Sequence, residues 1–151
     1  MSYEKRFKVA DLQPDIAIGI KLPMVAKNGR LFEQSYSTDE QAISNLHNLL
    51  LTSKGERIMQ PEFGTDILNY IFEQNDVNLH DKIGTAIESS IRFWLPYINV
   101  TELVVTRVSV NSNKISDSEH GVTVSLKVII NQAKSAIPVT LLATQNSIEL
   151  L

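Results

Sequence analysis

The feature that most restricts this chain is a change of hydrophobic period at Pro96. Before it, apolar residues recur every three or four positions: Ile43, Leu46, Leu49 and Leu50, then Ile67, Leu68, Ile71 and Phe72, then Leu79, Ile83, Ala86, Ile87, Ile91 and Trp94. That spacing gathers each group on one face of a helix. After it, side chains alternate: Val104, Thr106, Val108 and Val110 on one face of a first run, Val122, Val124, Leu126, Val128 and Ile130 in a second, Ile137, Val139, Leu141 and Ala143 in a third. A period of two belongs to half-buried strands. Helices followed by consecutive strands make an α+β fold, here about three N-terminal helices packed on a three-stranded antiparallel C-terminal meander.

Local signals set the boundaries. Ser37 with Glu40, and Thr38 with Gln41, form two overlapping capping boxes ahead of Ile43, so the first helix starts there; Ser53-Lys54-Gly55 ends it near Thr52. Thr65 is placed to cap the short second helix. A polar break over Asn75 to Asn78 precedes the third helix, which stops at Pro96 because the residue before a proline disfavours the α region. Asn111 to Gly121 reads as a polar hairpin connection, and Pro138 marks the third strand as a sheet edge. Upstream, Ile16, Ile18, Ile20 and Leu22 alternate in a run that Pro23 and the Asn28-Gly29 turn interrupt, so this strand belongs at an edge or outside the main sheet. Residues 1–15 mix charge with Tyr3, Phe7, Val9 and Leu12, end at Pro14 and read as an arm that orders only on docking; residues 16–151 form a single domain.

Composition narrows the function. With 151 residues the chain can bury a conventional core. The absence of Cys removes disulfide scaffolds, Cys-ligated zinc and thiol nucleophiles, and fits a reducing compartment. A net charge of −3 and the lack of a basic cluster beyond the stretch from Glu4 to Lys8 argue against nucleic acid as a partner. No run is long and apolar enough for a membrane span, and the N-terminus lacks a signal-peptide core, so no membrane partner is expected and the chain is expected in the cytosol where it is made.

No constellation for catalysis, cofactor or metal emerges. Glu56, Glu62, Asp66 and Glu73 gather around one loop and could supply an acid and a base for a peptidoglycan hydrolase. Structural roles account for them better: Glu62 and Asp66 lie near a helix start, where the dipole favours carboxylates, and Glu56 neighbours Arg57. His47, His80 and His120 have no ligand spacing. No G-x-S-x-G, phosphate-binding or dinucleotide-binding motif occurs. Two segments instead suit docking. The loop from Thr52 to Gly64 combines Gly55, Pro61 and Gly64, which fix backbone shape, with Arg57, Met59 and Phe63, side chains suited to buried contacts. The third strand of the meander, Ile137, Val139, Leu141 and Ala143, followed by the apolar tail Ile148-Glu149-Leu150-Leu151, offers an edge to a foreign strand or is a plain edge blunted by Pro138.

The run from Leu49 to Ile67 (Leu-Leu-Leu-Thr-Ser-Lys-Gly-Glu-Arg-Ile-Met-Gln-Pro-Glu-Phe-Gly-Thr-Asp-Ile), with Ile71-Phe72-Glu73 after it and Ser35 to Glu40 before it, resembles the small baseplate wedge proteins of contractile-tailed phages. That family, often called tail lysozyme-like, has relatives in contractile bacteriocins and the type VI secretion baseplate; the resemblance covers about residues 16–145. It implies a structural subunit of the virion tail baseplate, assembled in the host cytoplasm, without cofactor or enzymatic activity. The implied partners are other wedge proteins and sheath subunits, with sixfold placement in the assembly and a chain that can be monomeric alone. The core bundle of neighbouring wedge proteins would meet Leu95, Pro96, Tyr97, Arg57, Gly55, Pro61 and Phe63. The strand edge at Ile137, Val139, Leu141 and Ala143 would template sheath assembly. Relatives usually carry Glu-Pro-Arg where this chain has Leu95-Pro96-Tyr97, so the contact here is expected to be apolar and aromatic, or taken over by Arg57.

Overall fold

The computed structural model describes residues 15–22, 24, 32–71, 78–107, 121–130, 136–144 and 148–150. The chain divides into two compact units, Met1–Asn48 and Leu49–Leu151, with the boundary inside a continuous helix. The expected hairpin connection before Gly121, the N-terminal arm up to Pro14, and Phe72, Val108 and Val110 lie outside the described residues.

In the first unit, β1 (Gly19–Ile20) pairs antiparallel with β2 (Gln34–Ser35) in a ribbon separate from the main sheet, one of the two placements that the alternation ending near Pro23 allows. Helix α1 (Thr38–Leu51) starts with the first predicted capping box: Glu40 N–H donates to Ser37 Oγ at 3.2 Å, and Tyr36 N–H donates to the Glu40 carboxylate at 3.3 Å. Gln41, expected to close a second box with Thr38, uses its side-chain amide elsewhere. It accepts from the Ser35 hydroxyl and donates to Asn45 Oδ1 at 2.9 Å, tying ribbon to helix. Lys21 Nζ lies 3.0 Å from Glu40 and 3.4 Å from Glu33. The hydrogen bond from Lys21 is the largest influence lowering the Glu40 pKa, and the same bond is the largest raising that of Lys21. His47 Nδ1 donates to Leu22 O at 2.9 Å.

The second unit holds α2 (Ile67–Ile71), α3 (Leu79–Trp94) and a sheet of β3 (Ile98–Arg107), β4 (Gly121–Ile130), β5 (Ile137–Thr144) and β6 (Ile148–Leu150), antiparallel and in sequence order. Helix α3 packs on β3, and α2 packs on α3 and β5. Ile83, Ile87 and Ile91 from α3 are buried, as are Val122, Val124, Leu126, Val128 and Ile130, every inward position predicted for β4. Burial of one such side chain stabilises by about 1.5–3 kcal/mol, which is why the alternation holds most strictly in a strand flanked on both sides. The α3 chain ends as expected at the proline: Leu95 N–H closes on Ile91 O at 2.8 Å, and Ile98 N–H on Leu95 O at 2.9 Å turns the backbone into β3.

Four expectations are corrected. The meander has four strands, because the tail after β5 contributes β6, whose three residues are too few for a period to stand out. With β6 in place β5 is no longer the edge strand. Leu141, Leu142 and Ala143 pair with Leu150, Glu149 and Ile148, while Ile137–Thr140 have no outer strand partner among the described residues, and Pro138 falls in that stretch. In β3, Val104 and Thr106 face solvent instead of sharing the inward face. Ile98 and Val100 stand opposite Ile130 and Val128, but a bulge between Val100 and Glu102 adds one residue, after which Leu103 and Val105 take the positions opposite Leu126 and Val124. One inserted residue inverts the face of everything beyond it. Thr65, expected to cap α2, donates its hydroxyl to Leu50 O instead.

Candidate docking surface

The loop between α1 and α2 is short of regular structure yet closely fixed. Its neck is a parallel bridge between Ser53 and Thr65, where Thr65 N–H donates to Thr52 O at 2.9 Å and Lys54 N–H to Thr65 O at 3.3 Å. Gly64 has φ +119°, and a Cβ there would overlap the Thr52 carbonyl, so only glycine closes the neck. Inside the loop Gly55, at φ +86°, donates its N–H to Pro61 O at 2.7 Å. Glu56 accepts Ser53 N–H at 3.0 Å, and successive turns follow from Gln60 N–H to Arg57 O and from Phe63 N–H to Gln60 O. These bonds account for the glycine and proline pattern read from the sequence.

The loop meets the end of α3 through a stack of side chains. The Arg57 guanidinium lies 4.0 Å from the centroid of the Phe63 ring, within cation–π range. Phe63 stands edge-on to Trp94 with ring centroids 5.2 Å apart, and Trp94 stands edge-on to Phe93 at 5.0 Å. Trp94 immediately precedes Leu95-Pro96-Tyr97, so two groups of residues singled out separately in the sequence come together: Gly55, Arg57, Pro61 and Phe63 on one side, the α3–β3 corner on the other. Their roles within it differ. Leu95 is buried in the protein's own core, Tyr97 is half-buried and Pro96 is exposed.

Other residues on this surface carry no periodic signal. Ile58 is 96% exposed and Met59 91%, at the loop tip, and Phe93 is 73% exposed. Met59, a side chain suited to buried contacts, is held out in solvent by a fixed backbone. The only sequence cue is two large apolar residues in succession where neither period runs. Beside the corner, Glu88 and Arg92 of α3 line a cleft of about 230 Å³ with Pro96 and Asn99, which places two charges next to a tripeptide that has none. The loop carboxylates are engaged locally: Asp66 with Lys54 Nζ at 2.6 Å, Glu56 with the Ser53 amide; Glu62 is exposed, and Glu73 lies outside the described residues. Of the strand-edge residues, Val139, Leu141 and Ala143 point into the core and Ile137 is half-buried, so what β5 presents outward is its backbone.

Comparison with known proteins agrees with this architecture. No curated protein matches the chain in sequence. Among solved structures, a component of the anti-feeding prophage baseplate, from a sixfold-symmetrised cryo-EM structure, aligns over 76% of this chain and 86% of its own at 19% identity and a TM-score of 0.58. A protein from Geobacter sulfurreducens described as a candidate tail lysozyme aligns over 76% and 92% at 16% identity and a TM-score of 0.55. A component of the type VI secretion baseplate complex aligns over 69% and 90% at 11% identity and a TM-score of 0.50. At these identities the likeness is one of fold. The family model for baseplate wedge protein gp25 matches residues 37–134, from the cap of α1 past the end of β4 and so through the whole loop and corner. The chain belongs to the gp25 family of baseplate wedge proteins, structural components of contractile injection systems.

Proposed function

We propose that this chain is a non-enzymatic wedge subunit that seats on neighbouring wedge proteins through the loop and corner surface, and offers the β5 side of its sheet to a strand from a sheath subunit. The observation that carries the first part is the Arg57–Phe63–Trp94 stack, which joins a pinned loop to the α3–β3 corner and leaves Ile58, Met59 and Phe93 exposed around it. A fixed backbone spares the cost of ordering the loop when a partner covers its exposed apolar side chains, a property of interface anchors. Contact at the corner then runs through Pro96 and the exposed part of Tyr97, with Glu88 and Arg92 supplying the charges that Leu95 and Tyr97 lack. Leu95 shapes the corner from inside. Placement in a sixfold baseplate follows the symmetry of the anti-feeding prophage assembly.

The test is affinity capture of the tagged chain from the cells that naturally assemble it, with recovered wedge and sheath proteins quantified by mass spectrometry. Ile58→Ser combined with Met59→Ser is expected to lower wedge-protein recovery at least tenfold while the melting temperature stays unchanged. Equal recovery would remove the loop tip from the interface. Recovery of no tail component by the parent chain would turn attention to Glu56, Glu62 and Asp66 in a cell-wall clearing assay, where activity abolished by Glu→Gln and Asp→Asn substitution would establish a hydrolase.

A further inference from the structure

The tip of the loop between α1 and α2 carries an oxidisable atom. The chain has no cysteine, so its only sulfur atoms are the thioethers of Met1, Met24 and Met59. Met59 is 91% exposed and Met24 61%. Methionine commonly fills gaps in apolar cores, where packing shields its sulfur. Here the backbone holds it out. Gln60 N–H closes on Arg57 O at 3.2 Å around Ile58 and Met59, and this turn stands on the bond from Gly55 N–H to Pro61 O at 2.7 Å. Among the described residues, none of the hydrogen bonds that fix the loop uses a group of Ile58 or Met59. The thioether can therefore change chemically while the loop keeps its shape, whereas the same change in a buried methionine would disturb the core.

We propose that Met59 is a redox-controlled anchor: a peroxide oxidises its thioether to the sulfoxide and weakens docking at the loop tip, and reduction of the sulfoxide restores it. This inference rests on the reading of the loop tip as a wedge-docking surface and adds to it a means of regulation. In the oxidation a lone pair on Met59 Sδ attacks one oxygen of hydrogen peroxide. The S–O bond forms as the O–O bond breaks, and the second oxygen leaves as hydroxide and takes the proton of the transferred hydroxyl to become water. Sulfur gives up two electrons and the peroxide accepts them. In the reverse direction a dithiol is the reductant: the sulfoxide oxygen leaves as water and the dithiol ends as a disulfide. The oxidised side chain is polar and chiral where an apolar one stood. Covering it in an interface buries a strong hydrogen-bond acceptor, which costs affinity wherever the partner offers no donor. Ile58 has no such chemistry, so oxidation alters one of the two exposed side chains at the tip and its effect is smaller than that of replacing both.

The probe is hydrogen peroxide. The full chain is treated with it, conversion at each methionine is followed by peptide mapping, and the treated chain is used in the capture of wedge proteins described above. Met59 is expected to oxidise within about twofold of the rate of free N-acetylmethionine amide, with circular dichroism and melting temperature unchanged. A rate more than about tenfold slower, or unfolding that accompanies conversion, overturns the proposal. Recovery of wedge proteins is expected to fall about fivefold, and to return to its starting level after treatment with a methionine sulfoxide reductase and dithiothreitol. A Met59→Leu variant keeps an apolar tip without a sulfur to attack, and its recovery is expected to hold through the same peroxide treatment. Equal losses by this variant and the parent would place the sensitivity at Met1 or Met24 and overturn the proposal. The two readings fail separately. If Ile58→Ser with Met59→Ser lowers recovery and peroxide does not, the tip docks and its redox control is wrong; if neither lowers it, the tip is no docking surface and the inference falls with that reading.

Discussion

Strand β4 and the loop from Thr52 to Thr65 lie in the same unit and use apolar side chains in opposite ways. In β4 the period of two is unbroken, β3 and β5 both pair with it from Val122 to Val128, and every second side chain is buried. In the loop no period runs; backbone bonds fix the chain, and Ile58 and Met59 stand almost wholly in solvent. Apolar residues in the strand hold the fold together, and apolar residues in the loop are available to something else. Substitutions in the two regions should therefore separate stability from association.

The largest effect is expected in the strand. Leu126→Ala removes a side chain that is 1% exposed, between β3 and β5, and should lower unfolding free energy by about 3 kcal/mol in urea titrations. Val104→Ala, on the solvent face of β3, should stay within about 0.5 kcal/mol of the parent. If Val104→Ala cost as much as Leu126→Ala, the phase change at the bulge would be wrong.

In the loop the sensitive positions are backbone ones. Gly64→Ala meets both an excluded φ and the Thr52 carbonyl and should destabilise by about 3 kcal/mol. Gly55→Ala meets nothing within 4 Å and should cost only the strain of its positive φ, about 1–2 kcal/mol. Equal melting temperatures for the two variants would mean that the neck is looser than its hydrogen bonds imply. Ser37→Ala ranks below both, at about 1 kcal/mol, because the Glu40 amide would lose a side-chain acceptor at a position water still reaches.

These differences follow what could be read before the structure. The helices, the β4 face, the Ser37 cap, the separate ribbon at Gly19 and the stop at Pro96 were legible because each rests on a period or on one residue's backbone chemistry. The face of β3 was not, since a bulge is a pairing event between strands that leaves no mark in a run such as Val104 to Val110. Strand β6 was too short to carry a period. Thr65 had the right identity for a cap, and only the approach of Leu50 O decided otherwise. At the candidate docking surface, Arg57, Pro61 and Phe63 stood out by type, but their junction with Trp94 depends on how α3 packs, which no local pattern encodes. Burial of Leu95 is likewise a tertiary outcome.

The smallest predicted effect tests the ribbon end of the chain, where charge replaces burial. The Lys21 hydrogen bond holds the Glu40 carboxyl below its ordinary range, so the folded state binds that proton less readily than the unfolded state. Its contribution is complete above about pH 4.3, the usual glutamate value, and is lost as pH falls through the lower, folded value. Lys21 is shifted upward by the same partner, so its contribution is complete below about pH 10.4 and is lost as pH rises through the folded value. Both side chains are partly exposed, at 32% and 42%, and solvent screens the pair, which keeps its effect below that of the Ser37 cap. Glu40→Gln should consequently lose less stability than the parent between pH 7 and pH 3, with the parent's excess shrinking in 1 M salt. If the two proteins lost stability equally on acidification, the acid limb would belong to other carboxylates, and the Lys21 contact would be an arrangement of the surface without consequence for folding.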